Sequence, residues 1–302
     1  MELETALSLA ETQENGAKYD ASVKAFFKHK EAVAPILARV VREYAGYTNK
    51  EIAGFIDQDI RAEGDPVSDL SKEIINRNIE LKSIVEKTLF YDFKFEAKNP
   101  RLSDDKFLVM LHIDLEFQNK NYESSLKYPI EMRAMYYAAR ELSSQLPIAS
   151  EDSQYGKLEK VYSIWVCNEN IPAEFRDTIT RYCLKKEDLL GTVPVDRRFD
   201  LMEVVIIRRG GDNTSGDTLL DYLEGVFGND RAKVEGYLGP VNETVMEDYT
   251  MLTGFAHSLE ARAEAQTEAK IYNNIVARLK EQHPDWSEQQ ITDEAEALIG
   301  VL

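Results

Sequence analysis

"FLVMLHIDLEFQNK", residues 107–120, is the stretch on which the fold turns. It opens with five apolar residues, Phe107 to Leu111, and then alternates. Ile113, Leu115 and Phe117 fall at one parity, and Asp114, Glu116 and Gln118 at the other, with Lys120 two positions on. Successive side chains of a strand point to opposite sides, so this spacing gathers two carboxylates and an amide on one side and packs the other. A strand that begins apolar on both faces belongs inside a sheet rather than at its rim.

Working outward, "LFYDFKFEA" (89–97) alternates in the same way, with Phe93 and Phe95 opposed to Asp92, Lys94 and Glu96. The polar connection "KNPRLSDDK" (98–106) makes the two runs a hairpin. Downstream, Pro129 suits the first turn of a helix over "IEMRAMYYAARELSSQL", and "KVYSIWVCNE" and "LMEVVIIRRG" read as further strands. Upstream, "YDASVKAFFKHKEAVAPILARVVREYAG" (19–46) carries apolar residues at helical spacing. Thr48 and Glu51 then form a T-x-x-E capping box before "KEIAGFID", and the Gly-Asp-Pro cluster in "AEGDPVSDLSKE" marks a loop. The expected class is α/β (α+β), a mixed sheet flanked by helices with a C-terminal helical tail.

Three regions are expected: a polar N-terminal arm over 1–18, a sheet-containing domain over 19–240, and an acidic helical region over 241–302. The last holds 12 acidic against 4 basic side chains and restarts at "HPDWSEQQ", where Ser287 and Gln290 make an S-x-x-Q capping box. Its Ala/Glu-rich helix reads as a surface helix or as one that binds a partner, and the helical elements offer a route to a homo-oligomer.

Composition narrows the function. The 302 residues carry 54 acidic and 36 basic side chains, a net charge of −18, which argues against a surface that coats nucleic acid or membrane indiscriminately. A local basic groove is compatible with that balance. No apolar run approaches a membrane span, and "MELETALSLAETQENG" has neither a basic leader nor an apolar core, so the expected location is cytoplasmic. Cys167 and Cys183 fit reduced thiols better than a zinc site or a disulfide framework.

The carboxylate row has two readings. A half-buried strand presents alternating polar residues to solvent as a matter of course. In a central strand, however, ionised carboxylates are costly unless paired or bound to a cation, and grouped oxygens suit a hard cation that keeps room for water and phosphate. Asp92, on the neighbouring strand, is the natural third member. On the following helix, Arg133, Tyr137 and Arg140 stand at i, i+4 and i+7, a stripe suited to phosphate.

Taken in order, "YDFKFEAKNP", "HIDLEFQNK", "YPIEMRAMYYAARELSSQL", "KVYSIWVCNENIP" and "DLMEVVIIRRG" resemble the PD-(D/E)XK nuclease family transposases, relatives of the recombination-promoting nucleases. The resemblance covers roughly residues 17–240. It implies a restriction-endonuclease-like fold and DNA cleavage that depends on Mg²⁺ or Mn²⁺. It further implies that Asp92 and Glu116 are metal ligands and that Gln118 lies near the attacking water or scissile phosphate. Asp114 is an additional ligand or a partner that holds a neighbour in place. The superfamily more often has lysine where Gln118 stands, and a neutral amide can orient water but supplies no positive charge. Lys120 is an accessory candidate for that charge. Asp20 is the candidate accessory carboxylate, and its other reading is an N-cap or helix-start acid of the first helix. The implied partner is DNA. The label "transposase" comes with the family, and no residue here specifies strand transfer. A second reading keeps the fold without catalysis, as a DNA-binding or protein-interaction module.

Other constellations are weak. His29, His112, His257 and His283 show no metal-ligand spacing, and His112 reads as a packed or hydrogen-bonded residue. "RRGGDNTSG" lacks P-loop spacing, and no G-x-S-x-G occurs. Arg197, Arg198, Arg208 and Arg209 suit a DNA path or plain surface charge, while Tyr162 and Trp165 read as core.

Overall fold

The computed structural model describes residues 18–56, 61–62, 92–103, 110–118, 128–145, 155–168, 171–194, 199–210 and 215–299. At 61–62, 110–116, 118, 255–270, 296 and 299 it describes the backbone alone. The expected N-terminal arm up to residue 17, the loop over 63–73, Lys120, Arg197 and Arg198 lie outside these residues.

The elements are α1 (18–27), α2 (Lys30–Val40), α3 (Asn49–Phe55), β1 (Arg61–Ala62), β2 (Phe93–Lys98), β3 (Met110–Gln118), α4 (Ile130–Ser144), β4 (Lys160–Cys167), β5 (Thr178–Cys183), β6 (Met202–Arg208), α5 (Thr218–Phe227), α6 (Arg231–Leu238), α7 (Glu243–Gln282) and α8 (Glu288–Ile299). The class is mixed α and β. The strands form one six-stranded sheet in the order β1-β2-β3-β4-β6-β5. β2 and β3 are the expected antiparallel hairpin, with Phe93 opposite Leu115 and Lys94 opposite Asp114. β3 and β4 run parallel, with Asp114 beside Ser163, Glu116 beside Trp165 and Gln118 beside Cys167. β3 is therefore flanked on both sides, as its apolar start requires.

The sequence expectation needs three corrections. The single helix over 19–46 is two, broken around His29, which is extended (φ −78°, ψ 127°) and precedes α2. Asp20 lies in the first described turn of α1, the place of a helix-start acid rather than of an N-cap. Pro129 is the N-cap of α4 rather than its first residue, because its ψ of 134° is extended. β5, an edge strand antiparallel to β6, was not anticipated. Both capping boxes form as read. The Glu51 carboxylate accepts the Thr48 backbone N–H at 2.8 Å, and the Gln290 side chain accepts the Ser287 N–H at 3.0 Å.

Packing follows the alternation. Phe93, Phe95 and Ala97 of β2 are buried, while Lys94 and Lys98 are half-buried and Glu96 is exposed. On one face, α4 lays Ile130, Ala134, Tyr137 and Ala138 against Val161, Trp165, Val204 and Ile206. On the other, Phe27 meets Phe117 with ring centroids 4.3 Å apart, and Phe93 and Phe227 close around the same ring. Tyr222 of α5 donates its hydroxyl to the Ala32 carbonyl at 2.7 Å, so a buried phenol is satisfied while it ties α5 to α2.

The chain divides into two compact units. The larger is Val23–Tyr249, which contains the whole sheet. The smaller comprises, among described residues, 18–22 and 250–299. Within it α8 packs on the last turns of α7 through Leu279, Ile291 and Ala295, joined by Tyr272 and Trp286. His283 stacks on Trp286 at 4.0 Å. No described helix is long and apolar enough to cross a membrane.

Candidate functional site

The antiparallel register of β2 and β3 brings Asp92 to the end of the sheet where β3 finishes. Phe93 lies opposite Leu115, so Asp92, one residue earlier, stands at the level of Glu116. Its carboxylate is fixed there: Oδ2 accepts the backbone N–H of Phe117, the residue between positions 116 and 118, at 3.0 Å. Lys24 of α1 places its Nζ 3.5 Å from Oδ1, with 13% of the lysine side chain and 23% of the aspartate exposed. Asp92 is thus a half-buried acid that faces a cation and holds the end of the E-x-Q segment.

Positions 114, 116 and 118 share the register of Lys94, Ser163, Trp165 and Cys167. The described side chains around them include cations, aromatic rings and a buried acid. Lys94 pairs with Glu141 of α4 at 3.0 Å, and that glutamate is only 4% exposed. Arg133 lies 5.1 Å from the Tyr137 ring centroid and 5.2 Å from that of Trp165, and it donates to the Tyr137 hydroxyl at 3.0 Å. An arginine held by two rings and a hydroxyl has lost most of its rotamer freedom and keeps its charge.

The helix stripe read from the sequence is therefore only partly a surface. Tyr137 is 1% exposed and packs edge-on to Trp165 at 5.4 Å, so it braces Arg133 instead of reaching outward. Arg140 is half-buried on α4. At the same end of the sheet, Arg208 donates to Glu131 at 2.5 Å and Arg209 to Asn168 at 2.6 Å. Tyr162 and Trp165 are core, as expected, and fully buried. Cys167 and Cys183 are both free thiols, and burial pushes the Cys167 thiol up to about 12.

Of the sequence-read residues, the fold brings Asp92 to the level of Glu116, Phe117 and Gln118, with Asp114 on the same strand. It adds Lys24 and Lys94, which the sequence reading did not single out. Lys24 was hidden because an exposed-looking lysine in an amphipathic helix carries no local sign of a partner so far along the chain. Among the described side chains no group of three His, Cys, Asp or Glu residues is arranged to hold a metal ion; Asp114, Glu116 and Gln118 are not among those side chains.

The opposite end of the sheet is built differently. Glu203, fully buried at the start of β6, accepts from Lys160 at 2.8 Å and is bonded by Arg181, with Arg42 at 3.4 Å. Lys160 also bonds Glu43 at 3.1 Å and Asp200 at 3.0 Å, and Tyr162 donates to Glu43 at 2.6 Å. Burial opposes the charge on Lys160, but the Tyr162 oxygen, Glu203, Glu43 and Asp200 outweigh it and raise its pKa.

No family model, curated protein or solved structure matches this chain.

Proposed function

We propose that the chain is a metal-dependent DNA endonuclease with a restriction-endonuclease-like fold, hydrolysing phosphodiester bonds at the Asp92–Glu116–Gln118 end of the sheet. The observation that carries the reading is the Asp92 carboxylate bonded to the Phe117 N–H. It joins two separated parts of the D…E-x-Q pattern at one point.

The donor chemistry fits Mg²⁺ or Mn²⁺. Asp92 offers a carboxylate already drawn toward a cation, Lys24, and the proposed ligand set of Asp92, Glu116 and Asp114 is all oxygen. When bound, the ion would polarise the scissile phosphate, acidify a bound water and stabilise the leaving oxygen. The protein's own tasks follow. Asp92, held by Phe117, keeps its oxygen at a fixed height on the strand. Gln118 orients the attacking water through its amide, donating or accepting without itself changing charge. Lys24 supplies the positive charge that the amide at 118 lacks, close to the developing charge on phosphate. Arg133, braced on Tyr137 and Trp165, and Arg140 contact the DNA backbone, a local cationic patch on an acidic protein. "Recombination-promoting" is carried here only as the family's label, and cutting alone is proposed.

A second reading, a nuclease-fold module that binds DNA or protein without cleaving, is favoured by the amide at 118 and by the net charge of −18. Nicking of supercoiled plasmid separates the two. The nuclease reading expects nicking with Mg²⁺ or Mn²⁺ that EDTA abolishes and that Glu116→Gln lowers on the order of 10²-fold or more. Well-folded protein that nicks with neither ion supports the module reading.

A further inference from the structure

At the end of the sheet opposite the proposed nuclease site lies a cavity of about 240 Å³, lined by Glu43, Asn99, Arg101, Leu102, Lys160, Asp200 and Leu201. It is too small for most drug-sized ligands, whose pockets begin near about 300 Å³, and suits a few heavy atoms. One wall is a buried amide. Asn99 follows β2 and is 2% exposed. Its Oδ1 accepts the Arg101 backbone N–H at 3.1 Å, an Asx turn that fixes which side of the amide is oxygen. Its Nδ2 therefore carries two donors, and neither meets an acceptor among the described residues. Buried donors almost always have partners, because an unpaired one forfeits its hydration with nothing in return.

Arg101 stands beside it. Nε donates to the Glu43 carbonyl at 3.0 Å and one terminal nitrogen to the Ala45 carbonyl at 3.4 Å. Backbone carbonyls hold the guanidinium in place without neutralising it, and its remaining N–H groups are left to act. The neighbouring acids are already engaged, since Glu43 and Asp200 both accept from Lys160 and Glu43 also from Tyr162. The cavity wall carries two cations, Arg101 and Lys160, and two carboxylates, Glu43 and Asp200, both of which Lys160 already engages. We infer that the cavity is a binding site for a small oxyanion, a carboxylate or a phosphate, held by the Asn99 amide and the Arg101 guanidinium. The site is separate from the nuclease reading and stands or falls without it.

The test is titration of the full chain with inorganic phosphate and, separately, acetate, read by calorimetry and by chemical shifts of the Asn99 amide. Asn99→Asp keeps the oxygen that caps the turn and exchanges the donors for a negative charge. Arg101→Gln removes the cation from an exposed side chain and leaves the fold intact. The expected result is saturable binding of one anion class, weakened at least tenfold in both variants, with the preferred probe telling phosphate from carboxylate. Absence of saturable binding, or binding unchanged in Arg101→Gln, would overturn the inference and leave water as the partner of the amide.

Discussion

The two ends of the sheet treat buried charge in opposite ways. At the Lys160 end a buried carboxylate is matched by several cations: Glu203, 0% exposed, meets Lys160, Arg181 and Arg42 at once. At the Asp92 end the described ion pairs include Lys24 with Asp92, Lys94 with Glu141 and Arg208 with Glu131, and Asp92 is still 23% exposed. A closed network of satisfied charges serves the fold, since breaking it leaves a bare ion in low dielectric. A part-exposed carboxylate with a lysine 3.5 Å away can still exchange one cation for another. On the proposed reading, the contrast separates a charge cluster used for structure from one used for chemistry.

The largest expected effect is on stability. Lys160→Met should cost about 3–5 kcal/mol in urea denaturation, because the buried Glu203 and the half-buried Glu43 lose a common partner. A loss under about 1 kcal/mol would mean the network is solvated and the contrast is false. Next, Asp92→Asn should lower metal-dependent nicking on the order of 10²-fold, equal to about 2.7 kcal/mol of barrier, with stability changed far less than by Lys160→Met. Lys24→Met should lower nicking about tenfold, or about 1.4 kcal/mol, and Lys24→Arg should recover most of it. Equal rates in all three proteins would remove Lys24 from the mechanism.

The smallest effect probes an ordinary surface pair. A hydrogen bond from Lys233, with another from Tyr237, holds the Asp221 carboxyl below its usual value, so Asp221 contributes stability above its unfolded pKa. That contribution is lost as pH falls through the lower folded value. Asp221→Asn should therefore cost no more than about 0.5 kcal/mol at neutral pH and nothing in strong acid, a difference that pH-dependent denaturation would detect.

Much of the frame was legible because its signals are local. Phe93 and Phe95 alternate with charged neighbours, Thr48 and Ser287 stand three residues before their capping partners, and the apolar start of β3 announces a flanked strand. β5 was missed because "TITRYC" is an edge strand, half-buried along most of its length, and has no strong contrast between its faces. The Lys160 network could not be read at all, since Tyr162 and Glu43 are 119 residues apart. Tyr137 misled because i, i+4 spacing gives a shared helix face without saying whether that face meets solvent or Trp165. At the candidate site the strand row was visible in sequence, while Lys24 came into view only once α1 lay against the sheet.

Titration of the metal-free protein with Mn²⁺, followed by electron paramagnetic resonance, tests the central claim most directly. The account predicts saturable binding that Asp92→Asn and Glu116→Gln each weaken at least tenfold, while Lys160-end variants that remain folded bind as the parent does. Absence of bound Mn²⁺, or binding indifferent to both Asp92 and Glu116, would contradict it.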